Sequence, residues 1–273
     1  MKIPFMKMSG SGNDFILIDH RKPLIGGDRM KEFARKVCQR RISVGADGLI
    51  FIENSEKADF KWRFFNADGS EAEMCGNGGR CAARFAWLKG IAGPRLTFQT
   101  LAGILSAEVD GKRVKLEMTK PHSLKLDKAL LIDGEMRILS SINTGVPHAI
   151  QFVEDLEAVD VVRTGRSIRR HPHFAPSGTN ASFVRREKDS QLSVRTYERG
   201  VEDETLACGT GAVASALVAA FKGFVKSPVS IKTSGGEVLM VYFEIEGKEV
   251  KTVFFEGDVH IIYEGEMWEE ACE

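Results

Sequence analysis

Two segments of this 273-residue chain repeat one pattern, in which a cysteine and a glycine-rich turn precede an alanine-rich stretch ending in Lys-Gly. The first runs from Cys75 to Gly90 and the second from Cys208 to Gly223, so the numbering offset is 208 − 75 = 133. The same offset matches further pairs without a gap: Gly12 and Gly145, Gly45 and Gly178, Glu71 and Glu204, Thr100 and Thr233, and Gly103 and Gly236. A period this long indicates a duplicated domain rather than a solenoid of short repeats.

The duplication predicts an α+β protein with two pseudo-symmetric domains, residues 1–118 and 119–273, whose last strand can return to the first domain. In each copy β-type runs precede the cysteine and an apolar stretch follows it, as in residues 212–221. A helix with so little polar surface must be buried on nearly every side. Gly90 and Gly223 stand where such a helix ends. Each domain is therefore predicted to be a curled, mainly antiparallel sheet around one central helix.

Alternating and apolar runs bounded by turn residues predict short strands in both copies. The predicted strands are 48–53, 60–65 and 96–100, with 182–186, 192–197 and 229–233 in the second copy. Residues 118–136 are predicted to be a connector with two exposed turns. The basic stretch 163–173 is predicted to be a solvated loop.

Bulk composition favours a small-molecule partner. Lys and Arg number 38 and balance 38 Asp and Glu, so no overall field predicts binding to nucleic acid or to a membrane. The start of the chain lacks the apolar core of a signal peptide, which predicts a cytoplasmic protein. We expect the protein to be either a monomer or a homodimer. No dinucleotide or phosphate-loop motif and no Cys-x-x-Cys pair occurs, so we expect neither a cofactor nor a metal.

Cys75 and Cys208 are the strongest candidates for catalysis. A thiol at a helix N-terminus faces unpaired backbone N–H groups, which are expected to lower its pKa and also to bind a carboxylate. Two such corners facing one cleft suit the inversion of a stereocentre. A thiolate removes the α-proton on one face while a thiol returns a proton on the other. The other three cysteines, Cys38, Cys81 and Cys272, have no match in the other copy.

The motifs resemble those of the diaminopimelate epimerase family over nearly the whole chain. The similarity is strongest in Gly12–Phe15, Phe65–Ser70, Met74–Cys81, Pro147-His148, Gly178–Asn180, Tyr197–Gly200 and Ala207–Gly211. The resemblance implies that family's fold and a cofactor-independent isomerase that interconverts LL- and meso-diaminopimelate, a step of lysine biosynthesis. Ser9 and Val146 depart from the pattern, because a histidine and an asparagine often occupy those places.

The resemblance also implies roles for individual residues. Cys75 and Cys208 are the acid and base, and His148 with Glu198 tunes the thiols. Backbone N–H groups of four residues hold the α-carboxylate of the substrate: Gly76, Asn77, Gly209 and Thr210. Further side chains contact the substrate: Asn13, Asn66, Asn180 and Arg199, with Glu198 taking an ammonium group.

Several alternatives stay open from the residues alone. Asn13 and Asn180 fit turn positions, His148 fits a buried structural histidine, and Glu198 with Arg199 fits a surface ion pair. One alternative function is another cofactor-independent racemase of the same fold, for example one acting on proline. A second is a thiol redox or binding protein in which the matched cysteines form a reversible disulfide.

Overall fold

The computed structural model describes residues 2–272, which contain seventeen strands and four α-helices. The first half contains β1 (Lys2–Gly10), β2 (Asn13–Asp19), α1 (Met30–Val37), β3 (Gly48–Glu53), β4 (Phe60–Asn66), β5 (Glu71–Ala72), α2 (Gly76–Leu88), β6 (Arg95–Thr100), β7 (Gly103–Asp110) and β8 (Arg113–Glu117). The second half contains β9 (His122–Ile132), β10 (Glu135–Asn143), β11 (Pro147–Phe152), α3 (Val161–Arg170), β12 (Asn180–Arg186), β13 (Gln191–Glu198), β14 (Asp203–Thr205), α4 (Gly209–Phe221), β15 (Val229–Thr233), β16 (Val238–Glu246) and β17 (Glu249–Trp268). Short 3-10 helices lie at Pro172–Phe174 and Glu269–Cys272.

The chain forms two compact units. Unit 1 comprises the residues up to Glu117 and those from Gly257 onward, and unit 2 runs from Met118 to Glu256. Strand β17 is therefore shared, with its first part in unit 2 and its last part in unit 1.

The two units pair their strands in the same order. In unit 1, β1 is antiparallel to β2 and β17, β2 is parallel to β3, β3 is antiparallel to β4, and β4 is parallel to β6. In unit 2, β10 is antiparallel to β11 and β9, β11 is parallel to β12, β12 is antiparallel to β13, and β13 is parallel to β15. Helices α2 and α4 begin and end at positions related by the offset of the sequence repeat. The fold class predicted from the duplication is confirmed.

Two local predictions are wrong. Residues His122–Ile132 of the expected connector form strand β9, and Leu131 of that strand lies opposite Met136 of β10. Most side chains of β9 are exposed, so the strand has no clear alternation of apolar and polar residues to reveal it. The basic stretch expected as a loop lies largely in α3, whose first turn is capped because the Asp160 side chain accepts from the N–H of Arg163 at 3.0 Å.

Helices α2 and α4 form the interiors of their units. Helix α4 contacts β10, β11, β12, β13, β15 and β16, and α2 contacts β1, β2, β3, β7 and β8. Val213, Leu217 and Val218 of α4 are fully buried, and burial of one such side chain contributes about 1.5–3 kcal/mol. In α2, a Cβ atom at Gly79 would come within 2.8 Å of Cδ2 of Leu116, so a larger residue would require that side chain to shift.

The pairing brings polar residues to one edge in each unit. In unit 1, β2 and β3 are parallel and β4 is antiparallel to them, so the starts of β2 and β3 lie at the same edge as the end of β4. At this edge Gly48 lies beside Phe15 on one side and Asn66 on the other. In unit 2, His148 lies opposite Asn180 in the parallel pair β11 and β12, and β13 ends beside them. The candidate site residues are found at these edges and at the starts of α2 and α4.

Candidate active site

The first corner comprises Asn13, Asn66, Cys75, Gly76 and Asn77, and all of it lies in unit 1. Cys75 is the N-cap of α2 with an extended backbone (φ −146°, ψ 117°), and its sulfur accepts from the N–H of Gly78 at 3.4 Å. The first intrahelical bond runs from Gly79 N to Cys75 O. The N–H groups of Gly76 and Asn77 precede this bond and have no carbonyl four residues earlier in the helix to bind. They are therefore suited to an anion.

A chain of hydrogen bonds links the turn before β2 to the start of α2. Asn77 donates from Nδ2 to Oδ1 of Asn13 at 2.9 Å, and Asn13 donates from Nδ2 to Oδ2 of Asp47 at 3.0 Å. At the other end, Arg80 donates from Nη2 to Oδ1 of Asn77 at 2.8 Å and to Oγ of Ser11 at 2.5 Å. Arg80 is fully buried and Asn77 nearly so. The two amides of the first corner thus belong to a larger polar network.

Asp47 connects this network to three further charged side chains, those of Lys7, Asp14 and Arg40. Arg40 donates from Nη2 to Oδ1 of Asp14 at 2.6 Å and to Oδ1 of Asp47 at 2.9 Å. Lys7, although buried, lies 2.9 Å from Oδ2 of Asp14 and donates to the carbonyl of Gly45. Partial burial acts to raise the pKa of Asp14, but the hydrogen bonds from Arg40 and Lys7 outweigh it and lower the pKa to about 2. Asp14 is therefore ionised at neutral pH.

Asn66 ends β4 at the same edge as Asn13, but its side chain takes part in a turn. Its Nδ2 donates to Oγ of Ser70 at 3.0 Å, and its backbone N–H donates to the carbonyl of Ser70 at 2.9 Å. Asn66 is half-buried. Its contact with a substrate, implied by the family resemblance, remains a prediction.

The second corner comprises His148, Asn180, Glu198, Arg199 and Cys208–Thr210, all in unit 2. Cys208 is the N-cap of α4, and Ala212 N donates to its carbonyl as the first intrahelical bond, so Gly209 and Thr210 correspond to Gly76 and Asn77. The Cys208 sulfur lies 3.5 Å from Oγ1 of Thr210, which lies 2.9 Å from Nε2 of His148. The thiol and the imidazole are thus connected through one hydroxyl.

The backbone of Arg199 determines the direction of these hydrogen bonds. Its N–H donates to Oδ1 of Asn180 at 2.7 Å, so Nδ2 of Asn180 faces Nε2 of His148 at 3.3 Å. Nε2 is then the acceptor nitrogen, and the imidazole proton is assigned to Nδ1. Nε2 also accepts from the Thr210 hydroxyl, which leaves the oxygen of that hydroxyl to accept from the Cys208 thiol.

His148 is uncharged at neutral pH. Complete burial, assisted by the charge of Arg199, lowers the pKa of His148 from its ordinary 6.5 to about 3. Its Nδ1 is buried and has no hydrogen-bond partner within residues 2–272. His148 therefore acts in the second corner as a neutral hydrogen-bonding group.

The expectation of a lowered thiol pKa is wrong for Cys208. Burial, and next the negative charge of Glu198, raise the pKa of Cys208 well above its ordinary value. The helix N-terminus is outweighed because the thiol is buried beside a carboxylate. Burial also raises the pKa of Glu198, which accepts from Oγ1 of Thr205 at 2.5 Å. Cys208 is a protonated thiol at neutral pH.

Arg199 is only partly buried and donates from Nη1 to the carbonyl of Ser177 at 3.0 Å. Sequence reasoning missed the partners that hold these corners in place. In unit 1 they are Ser11, Asp14, Arg40, Asp47 and Arg80. In unit 2 they are Thr205 and Thr144, whose Oγ1 donates to the carbonyl of Thr210 at 3.0 Å. One signal was present in the sequence. Asp47 matches Asn180 at the offset of the repeat, so the duplication itself places it at a candidate site position.

Solved structures of other proteins share the fold of this chain. A phenazine biosynthesis protein of the PhzF family from Bacillus anthracis matches with a TM-score of 0.75 and 17% identity, over 98% of this chain and 99% of its own. A probable proline racemase from Agrobacterium radiobacter K84 matches with a TM-score of 0.72 and 16% identity, over 98% of this chain and 93% of its own. At such identities the likeness shows the fold alone.

The sequence defines the family more closely. The family model of diaminopimelate epimerase matches residues 5–124 and 140–262. The diaminopimelate epimerase of Aquifex aeolicus is 50% identical over an alignment that covers 98% of this chain and 99% of its own. The chain belongs to the diaminopimelate epimerase family. Within residues 2–272, no helix has the length and apolar character needed to cross a membrane.

Proposed function

We propose that this protein inverts one α-carbon of diaminopimelate, interconverting the LL and meso forms by proton transfer between Cys75 and Cys208. Membership of the diaminopimelate epimerase family supports the substrate and the reaction. The observation that carries the mechanism is that a cysteine caps the matched helix in both units. Inversion requires a base on one face of the carbon and an acid on the other, so two thiols in matching settings suit it.

Each proton transfer is balanced between carbon and sulfur. One thiolate takes the α-proton, so the C–H bond breaks, an S–H bond forms and the electron pair moves into the substrate carboxylate. The S–H bond of the opposite thiol then breaks and a new C–H bond forms on the other face. The raised pKa keeps Cys208 protonated in this structure. For the reaction direction that begins with this protonation state, we therefore assign Cys208 as the proton donor and Cys75 as the base.

The helix starts are proposed to bind the α-carboxylate. The N–H groups of Gly76 and Asn77, and those of Gly209 and Thr210, precede the first intrahelical bonds of α2 and α4. A negative charge at a helix N-terminus is stabilised by about 0.3–1 kcal/mol at an exposed position and by more when partly buried. The charge on the carboxylate grows as the α-proton leaves, so these groups stabilise the transition state more than the substrate.

The far end of the substrate carries a second carboxylate and ammonium group. We assign the carboxylate to Arg199. Its guanidinium has five N–H donors, and the bond to the carbonyl of Ser177 uses one of them, so others can bind the carboxylate. Glu198 is assigned to an ammonium group, with Asn13 and Asn66 as further polar contacts. Asn180 already binds the backbone of Arg199 and faces His148, so its main effect would be to orient those two residues.

The direct test is α-proton exchange. Reduced protein is incubated with LL-diaminopimelate in heavy water, and deuterium at the α-carbon and the meso product are followed by NMR. We expect both to appear, and we expect proline to remain unchanged under the same conditions. Exchange of proline but not of diaminopimelate would favour a different racemase. If protein shown to be folded by circular dichroism exchanged neither amino acid, the proposal would be overturned.

A further inference from the structure

We infer that Asp47 and Arg80 are positioning residues, which set the orientation of the Asn13 and Asn77 amides at the start of α2. The inference rests on the proposed function for its effect on substrate, but the orientation can be tested without turnover. Neither residue was expected from the sequence to belong to the site. Both lie in unit 1 with the amides that they contact.

The groups in this chain of hydrogen bonds differ in whether they donate or accept. An ionised carboxylate only accepts, a guanidinium only donates, and a side-chain amide does one at each end. Asp47 therefore requires the Nδ2 of Asn13, which lies 3.0 Å from it, and this leaves Oδ1 of Asn13 to accept from Asn77 at 2.9 Å. The orientation of the first amide thereby determines that of the second.

Arg80, at the other end of this chain of hydrogen bonds, requires the same orientation of the two amides. Arg80 donates from Nη2 to Oδ1 of Asn77 at 2.8 Å, which turns Nδ2 of Asn77 toward Asn13. Reversing either amide would set N–H against N–H or oxygen against oxygen in buried surroundings. An acceptor-only group and a donor-only group thus select one arrangement of two amides that are nearly symmetric in shape.

The same residues tie the turn before β2 to the helix. Ser11 and Gly12 both have positive φ angles, 52° and 88°, and Ser11 accepts from Nη2 of Arg80 at 2.5 Å. The turn is therefore attached to α2 through Ser11 on one side and through Asn13 on the other. Any loss of order at Asn13 would reach Asn77, whose backbone N–H is one of those proposed to bind the substrate carboxylate.

Asp47 is itself held in place. Its carboxylate accepts from Nη2 of Arg40 at 2.9 Å and from the N–H of Asp14 at 3.2 Å, while its own N–H donates to Oδ1 of Asp14 at 3.0 Å. The Asp47 side chain is partly exposed, so replacing it does not open the apolar core. This makes it the better of the two positions to vary, since Arg80 is fully buried.

The experiment compares Asp47→Asn with two other variants. Asp19→Asn is the matched control, because Asp19 ends the same strand β2 and binds only Arg21 among the hydrogen bonds of its side chain, at 2.7–3.2 Å. Arg40→Gln removes the cation beside Asp47 but leaves Asp47 as an acceptor. Side-chain amide signals of Asn13 and Asn77 are recorded by NMR, and kcat and KM are measured with LL-diaminopimelate.

For Asp47→Asn we expect each of these amide signals to broaden or double, because position 47 then carries a donor as well as an acceptor. We expect kcat/KM to fall about fivefold to tenfold, the effect of one directed hydrogen bond, with part of the loss in kcat because the Asn77 N–H is among the groups proposed to stabilise the transition state. Asp19→Asn should keep single amide signals and a kcat/KM within about twofold of the parent. Arg40→Gln should change both measurements less than Asp47→Asn does, because Asp47 still accepts from Asn13.

Single, unshifted amide signals in Asp47→Asn would overturn the inference whatever the activity. So would an Arg40→Gln variant that matched Asp47→Asn in both measurements, because the loss of the ion cluster would then be the cause. If the parent protein turned over no substrate, the proposed function would fail, and the NMR comparison would still decide the orientation.

Discussion

The two corners share a backbone and a cysteine but hold their helix starts with different chemistry. The repeat matches Asn13 with Val146, Asp47 with Asn180, Asn77 with Thr210, and Arg80 with Val213. Unit 1 uses charged groups at both ends of a pair of amides. Unit 2 uses a backbone N–H, an amide, a neutral imidazole and a hydroxyl. In both units the start of the helix has a polar partner, but that partner can be either charged or neutral.

The difference extends to the surroundings of the thiol. Glu198 lies near Cys208 and helps to raise its pKa, whereas the matching residue in unit 1 is Phe65, a buried core residue. His148 of unit 2 likewise matches Phe15, which is also buried. Glu198 can therefore act on Cys208 through its charge, in a way that the uncharged Phe65 cannot act on Cys75. Three experiments test whether that asymmetry matters.

The largest effect is expected from removing either thiol. Cys75→Ala and Cys208→Ala should each lower epimerisation by about 10³-fold or more, since each removes one of the two proton-transfer groups. In heavy water, each variant should still exchange the α-proton of one stereoisomer without inverting it, because the remaining thiol reaches one face only. NMR of the LL and meso isomers measures both quantities. A variant that inverted substrate at the parent rate would remove its cysteine from the mechanism.

A smaller effect is expected from Glu198→Gln. Removing the negative charge should lower the pKa of Cys208, and one pKa unit gives about tenfold more thiolate at neutral pH. The pH dependence of Cys208 alkylation, resolved by mass spectrometry, measures the change. Glu204→Gln is the control, because Glu204 is a carboxylate of the same unit bound to Arg195. An unchanged or higher midpoint in Glu198→Gln would contradict the electrostatic account.

The smallest effect concerns stability and pH. Because the folded pKa of His148 is about 3 and its ordinary value is 6.5, the unfolded chain takes up the proton first as the pH falls. The free energy of unfolding should then drop below pH 6.5 by at most about 1.4 kcal/mol per pH unit from this group. His148→Gln keeps an acceptor for Thr210 and cannot titrate, so it should reduce the slope between pH 6.5 and 5.

Urea unfolding at several pH values measures that slope. His260→Gln, at an exposed histidine, provides the control for the exchange of a histidine for a glutamine. Equal slopes in the parent and in His148→Gln would show that burial of His148 has no such cost.

Local patterns predicted much of the fold. Both cysteine-capped helices were foreseen, and β3 and β15 were predicted with their observed bounds. The patterns failed where an element is mostly exposed, as in β9, or where charged residues surround a narrow buried face, as in α3. In α3, Val161 and Ile168 are buried among basic residues, so composition suggested a loop. Asp160, an N-cap residue type directly before Val161, was the sequence signal for this helix.

The sequence by itself determined the duplication, the class of fold and the two cysteines at helix starts, because these follow from spacing and from neighbours within a few residues. Only the tertiary structure decided the protonation of the second thiol and the direction of the amides in the first corner. Asn77 bonds to a residue 64 positions away, and His148 to one 62 positions away. A pKa or an amide orientation depends on burial and on such distant partners, which no local pattern records.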